Sequence, residues 1–124
     1  MKMAAKVARY LLGVGMVVFG ANAFFDFMPP PELSEQGGEF LGLMFASGYF
    51  NWVAILKIAG GLMLILGRFV PLGLTLLGPI LVNILLFHIS FDPAGIGLGA
   101  LFTILWFIVF WDHRTAFQAL WTSG

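Results

Sequence analysis

The stretch "WVAILKIAGGLMLILG", residues 52–67, decides the fold. It is apolar over nearly the length of a membrane span, yet Lys57 sits inside it. A spanning helix needs roughly 20 mostly apolar residues, because the hydrocarbon layer is about 30 Å thick and a helix rises about 1.5 Å per residue. Working outward from this stretch, four segments meet or nearly meet that length: residues 7–25, 50–66, 70–89 and 94–111. The second and third are joined at Gly67-Arg68, the third and fourth at residues 90–93. Only the first connection, residues 26–49, is long.

Composition supports the same class. The 124 residues are 60% hydrophobic and 10% charged, with a mean hydropathy of +1.00. A soluble domain of this length cannot cover so much apolar surface. The fold expected is all-α: a four-helix transmembrane bundle forming a single integral membrane domain over residues 1–124, with the lipid bilayer as its surroundings. Net charge is zero and no basic run is long enough to hold nucleic acid. The absence of cysteine removes disulfides, thiolate nucleophiles, dithiol redox chemistry and cysteine metal sites.

The long connection has structure of its own. "MPPPELSEQGG", residues 28–38, ends the first span, since three consecutive prolines cannot continue a helix. "EFLGLMFASGYF", residues 39–50, is apolar again but too short to span. It suits an interfacial or re-entrant segment lying over the bundle's outer end.

Basic residues set the expected orientation. Lys2, Lys6, Arg9, Arg68 and Arg114 fall on one side when four spans are threaded in order, and none falls in the opposite loops. Both termini are therefore expected to be cytoplasmic, with the protein multi-pass in the plasma (inner) membrane. Asp26, Glu32, Glu35, Glu39 and Asp92 occupy the outer side. Tyr10, Trp111 and Trp121 mark the inner boundary, Tyr49 and Trp52 the outer one. Lys2, Lys6, the first apolar run and "ANA" at residues 21–23 also resemble a signal peptide with its cleavage site. The apolar run continues through "FFDF" beyond that point, so the first span is expected to be retained; an intact mass decides.

Polar residues inside the spans crowd toward the outer half. Asn22 and Asp26 lie four residues apart and so share a face at the end of the first span. Asn51 opens the second span, and Lys57 lies about two turns deeper, roughly 10 Å in. Asn83 and His88 belong to the outer half of the third span. Ala54, Gly60 and Gly61 lie at i−3, i+3 and i+4 from Lys57 and form a face of small residues. Such faces let membrane helices approach closely, which turns Lys57 inward. A buried ammonium needs a partner, and Asp26 is the acidic residue nearest in depth. The other reading is that Lys57 snorkels outward along its own helix. Asn83 serves either an interhelical hydrogen bond or a ligand. It is about 140° around the helix from His88, so the two do not share a face. Pro79 frees the carbonyl of Thr75, and a bend there with the Thr75 hydroxyl re-satisfying that carbonyl is expected. Asp92 before Pro93 reads as a helix N-cap. Gly95, Gly97 and Gly99 read as packing glycines. The two histidines lie on opposite sides of the membrane, so no haem or other metal site is expected. No nucleophilic triad or phosphate loop is present, and no catalytic residue is assigned.

"ARYLLGVGMVVFGANAFFDF", residues 8–27, followed by "FNWVAILKIAGGLMLILGRFVPLGLTLLGPILVNILLFH", residues 50–88, resembles the DoxX family of small four-helix membrane proteins. The matching motifs are the paired glycines with an aliphatic run and G-R-F at residues 60–69, P-I-L-V-N at residues 79–83, and the His ending the third span. Many members carry Glu where this chain has Lys57, so proton or electron chemistry built on that glutamate is not carried over. The family takes its name from a subunit of a thiosulfate–quinone oxidoreductase, and a related branch acts as an assembly chaperone for receptor channels.

Three functions follow as expectations. The first is a redox-associated accessory subunit, more a binding protein than a stand-alone enzyme. It would hold a quinone-like or other small amphiphile in a pocket built from Lys57, Asn83, His88, Asn22, Asp26 and Asn51. No residue here stores an electron, so a redox role would rest on a bound quinone or a protein partner. The second is a non-enzymatic assembly or stabilising subunit, working with a protein partner or as a homo-oligomer through its glycine faces. The third is an oligomeric small-solute transporter.

Overall fold

The computed structural model describes residues 2–25 and 33–120. Five α-helices run in order: α1 Lys2–Phe25, α2 Glu35–Ala46, α3 Tyr49–Leu66, α4 Val70–Ser90 and α5 Ile96–Asp112. Short 3-10 turns at Pro93–Gly95 and Arg114–Leu120 flank α5. Among the described residues there is no strand. Four segments are long and apolar enough to cross a membrane: Met3–Asn22, Tyr49–Leu66, Val70–Ser90 and Pro93–Asp112. The chain is thus a small multi-pass membrane protein, with boundaries within a few residues of those expected except that α1 begins earlier. Asp26, the prolines at 29–31 and Trp121 lie outside the described residues.

The joints follow from local chemistry. Gly67 adopts left-handed backbone (φ 68°) after α3; its N–H donates to the Leu64 carbonyl while that of Arg68 donates to Met63. This pair of bonds satisfies carbonyls that the last helical turn leaves open. Phe69 is also left-handed (φ 56°), a conformation that costs a non-glycine residue about 1 kcal/mol or more. Two such residues turn the chain within three positions, and Pro71 then fits the first turn of α4, where no N–H is needed.

The four spans form a ring in which α1 packs on α3 and α5, and α4 packs on the same two helices. Every neighbouring pair is antiparallel. Glycines set the crossings. A Cβ at Gly61 would lie 2.7 Å from the Gly13 carbonyl oxygen, and one at Gly73 would lie 3.1 Å from that of Gly60. Gly15 receives the Phe102 ring, Gly20 lies against Ala54 and Lys57, and Gly99 receives Ile84. The centre between the crossings is filled by Leu12, Met16, Leu64, Leu74, Leu77 and Val109, all essentially inaccessible. Outward, Val14, Leu62, Leu72, Val82, Ile104 and Phe107 stay exposed. A surface of that kind suits acyl chains and not water.

One polar detail differs from expectation. The Thr75 hydroxyl donates to the Pro71 carbonyl at 2.9 Å and not to the carbonyl freed by Pro79, and α4 continues unbroken through the proline. One residue before the freed carbonyl, the Trp106 indole N–H reaches across from α5 to the Leu74 carbonyl at 2.9 Å. Its ring stacks on Phe110 at 5.3 Å. Trp106→Phe keeps the ring packing and removes the bond. It is expected to lower the unfolding free energy in detergent by roughly 0.6–1 kcal/mol, and an unchanged midpoint would mean that the bond contributes nothing net.

Candidate functional site

Lys57 is the one buried charged residue among the described residues, with 8% of its surface exposed. The sequence places it on the small face of α3, and that face is the buried one: Ala54, Lys57, Gly60, Gly61 and Leu64. Gly20 of α1 completes the channel for its stem. A Cβ there would lie 3.0 Å from the Ala54 carbonyl oxygen and 3.3 Å from the Lys57 Cβ. With the stem held between two helices, the side chain follows the direction helical side chains favour, back toward the start of its own helix. The ammonium ends over the Phe50 ring, 5.2 Å from its centroid. Burial by neighbours and outward snorkelling therefore describe the two halves of one side chain.

Among the described residues no hydrogen bond or ion pair holds this ammonium. A cation over an aromatic face gains roughly 0.5–2 kcal/mol. A lysine at the centre of a spanning helix costs about 3 kcal/mol by insertion scales. The ring alone does not offset that. The expected acidic partner, Asp26, lies outside the described residues.

Above Lys57 lies α2, which has its own anchoring. Phe45 packs on Phe50 with ring centroids 4.4 Å apart, so one aromatic ring separates α2 from the ammonium. Phe40 packs on Phe87 and Phe91 at the end of α4, at 5.6 and 5.4 Å. The N-terminus of α2 is pinned by Asp92. Its carboxylate accepts from the Ser34 N–H at 2.6 Å and from the Ser34 hydroxyl at 3.2 Å. That hydroxyl in turn accepts from the Gly37 N–H at 3.0 Å and so caps α2. A Cβ at Gly37 would run into the Asp92 carboxylate, so any larger residue there requires that carboxylate to shift off Ser34.

This corrects the N-cap reading of Asp92. It makes no side-chain cap to the turn that follows it (φ −141°, ψ 70°). It secures a different helix, 58 residues away in sequence. An Asp-Pro pair carries the same local signal in both cases, so only the packing of α2 distinguishes them. Asp92→Ala removes two charge-assisted bonds and is expected to loosen α2. Because the chain has no cysteine, Leu41→Cys, half-buried in α2 and outside its ring contacts, supplies a unique reporter. Its labelling by a water-soluble maleimide should accelerate about tenfold when Asp92→Ala is added, the equivalent of one charge-assisted bond. An unchanged rate would show that α2 is held by its aromatic contacts alone.

The other expected site residues are dispersed. Asn22 is half-buried near the end of α1, two residues beyond Gly20. Asn51 is exposed in the first turn of α3. Asn83 is exposed, and its amide donates to the Pro79 carbonyl of its own helix at 2.9 Å, so it neither bridges helices nor approaches Lys57. His88 is half-buried at the α4–α5 joint, where its ring packs against Gly95 and its Nδ1 lies 3.2 Å from the Asp92 carbonyl oxygen. The structure thus gathers Lys57, Phe50 and the cover formed by α2, and leaves Asn83 on the apolar outer surface. Comparison with family models, curated proteins and solved structures gives no significant match.

Proposed function

We propose that this protein is a DoxX-type membrane protein that holds a quinone-like or other small amphiphile beneath α2, with Lys57 as its polar handle. The observation that carries the proposal is a buried ammonium that no hydrogen bond or ion pair holds among the described residues. A quinone carbonyl or an acidic headgroup would supply an acceptor for that ammonium. Phe45 and Phe50 offer apolar walls for a ring or tail. The residues present therefore suit such a group. Any redox chemistry would be the ligand's own, with the protein contributing binding and orientation. The bias of Lys2, Lys6, Arg9, Arg68 and Arg114 to the end opposite α2 supports cytoplasmic termini in a plasma membrane, with the ligand site in the outer half.

The alternative of an assembly subunit rests on the chain's small size and its glycine-rich faces. Gly13, Gly60, Gly61 and Gly73 are used for crossings within the chain, while Gly42 and Gly97 have open space beside them. Leu12, Met16, Leu64 and Leu74 are buried between Lys57 and the basic end, so an oligomeric transporter would need its path between copies. The deciding experiment is native mass spectrometry of the gently extracted protein beside Lys57→Met. A lipid-soluble small molecule retained by the former and lost from the latter supports the proposal. Equal retention by both overturns it.

A further inference from the structure

The opposite end of the bundle holds a second feature, unrelated to Lys57. The start of α1, the α3–α4 joint and the end of α5 enclose a cleft of about 350 Å³. Lys6 and Arg9, one turn apart on α1, supply two cations to its lining. Asp112 and His113 enter from α5, with Gly67 and Val70 between them. Leu66, Val70 and Asp112 are the residues at which three spans end, so the cleft lies at headgroup depth. Exposed Tyr10 and Trp111 mark the same level.

Arg9 and His113 are held in this cleft by the fold. Arg9 donates from Nη1 to the Leu64 carbonyl near the C-terminus of α3, and its guanidinium lies over the Tyr10 ring at 4.6 Å. Gly67 makes room for it: a Cβ there would lie 2.6 Å from Nη1, and the left-handed backbone already disfavours a side chain. His113 Nδ1 lies 3.1 Å from the Val109 carbonyl oxygen and so carries the hydrogen in that bond. Asp112 Oδ2 is 3.8 Å from the same nitrogen. Two cations therefore enter from α1 and one carboxylate from α5.

Paired cations at headgroup depth suit a phosphate. A carboxylate in the same cleft disfavours a headgroup that is only anionic and favours one that also carries an ammonium with N–H donors. We propose that this cleft binds the headgroup of an ethanolamine-type phospholipid, with the phosphate on Lys6 and Arg9 and the primary ammonium on Asp112. A choline headgroup has the charge but no N–H to donate, and a glycerol headgroup lacks the cation.

The test uses the full chain in detergent, with retained lipid counted by native mass spectrometry. Dioleoyl phosphatidylethanolamine, phosphatidylcholine and phosphatidylglycerol are added in separate samples, and inorganic phosphate in a fourth. The ethanolamine lipid should be retained about 2–5-fold better than the other two, the range expected of one partly exposed ion pair. Asp112→Asn should abolish that preference while leaving retention of the glycerol lipid intact or improved. Lys6→Gln, at an exposed position, should weaken all three phospholipids together, and it decides the matter should Asp112→Asn fold poorly. Equal retention of the three lipids by the unaltered protein would overturn the headgroup assignment. So would indifference of all three to Lys6→Gln. Inorganic phosphate binding as tightly as the lipids would show a free-anion site and overturn the lipid assignment.

Discussion

Gly61→Leu should drive α1 off α3 and lower the unfolding free energy by about 3 kcal/mol, the upper part of the usual overpacking range. The reason is geometric. A Cβ at this position would stand 2.7 Å from the Gly13 carbonyl oxygen, 2.8 Å from Val17 Cγ2 and 3.2 Å from the Met16 Cβ. The first of these is backbone and cannot rotate away, so the helix itself must move. Gly13 has no side chain to give up in compensation. Alanine here should cost less, because its better helix propensity recovers up to about 1 kcal/mol. Gly42→Ala is the matched control. It lies in α2 with nothing within 4 Å of the added methyl, and it should be neutral or slightly stabilising. Denaturant titration in mixed micelles, read by tryptophan fluorescence, measures all three. A midpoint for Gly61→Leu equal to that of the unaltered chain would refute the close crossing of α1 and α3.

Lys57→Met should act in two opposite directions. Methionine nearly matches the lysine stem in volume and removes a charge from the bundle interior. The ligand-free protein is therefore expected to become more stable, by up to about 3 kcal/mol on insertion scales. Occupancy by the small amphiphile should fall at least about tenfold, the equivalent of a single charge-assisted hydrogen bond. Higher stability with lost binding is the signature of a charge retained for function at the expense of the fold. A stabilised variant with full ligand content would reduce Lys57 to a tolerated snorkelling side chain. A variant that loses both stability and ligand would point instead to a structural counter-charge for the ammonium.

Much of this arrangement was legible in the residues. The spans were, because helix hydrogen bonds are local and the length of an apolar run maps directly onto the thickness it can cross. The burial of Lys57 was too, because Ala54, Gly60 and Gly61 lie beside it on one helical face and small residues mark where helices meet. The short segment between the first two spans declared itself by its prolines and by an apolar stretch too brief to cross; the structure places a 12-residue helix at Glu35–Ala46, beginning four residues before that stretch because Ser34 caps it.

What needed the tertiary structure is every contact between groups far apart in the chain. Asp92 secures α2 across 58 residues, and Arg9 meets the end of α3 across 55. Asn83 stands apart from Lys57 although the two are similar in depth, because depth along a helix says nothing about rotation around it. Lys6 and Arg9 stand near one end of the sequence and Asp112 and His113 near the other, yet together they line one cleft. The physical reason is the same in each case. Periodicity and length determine which residues form a helix and which face it buries. Which helix receives that face, and at what rotation, depends on the summed fit of glycine crossings and side-chain volumes around the ring, and that fit exists only once all four spans are assembled.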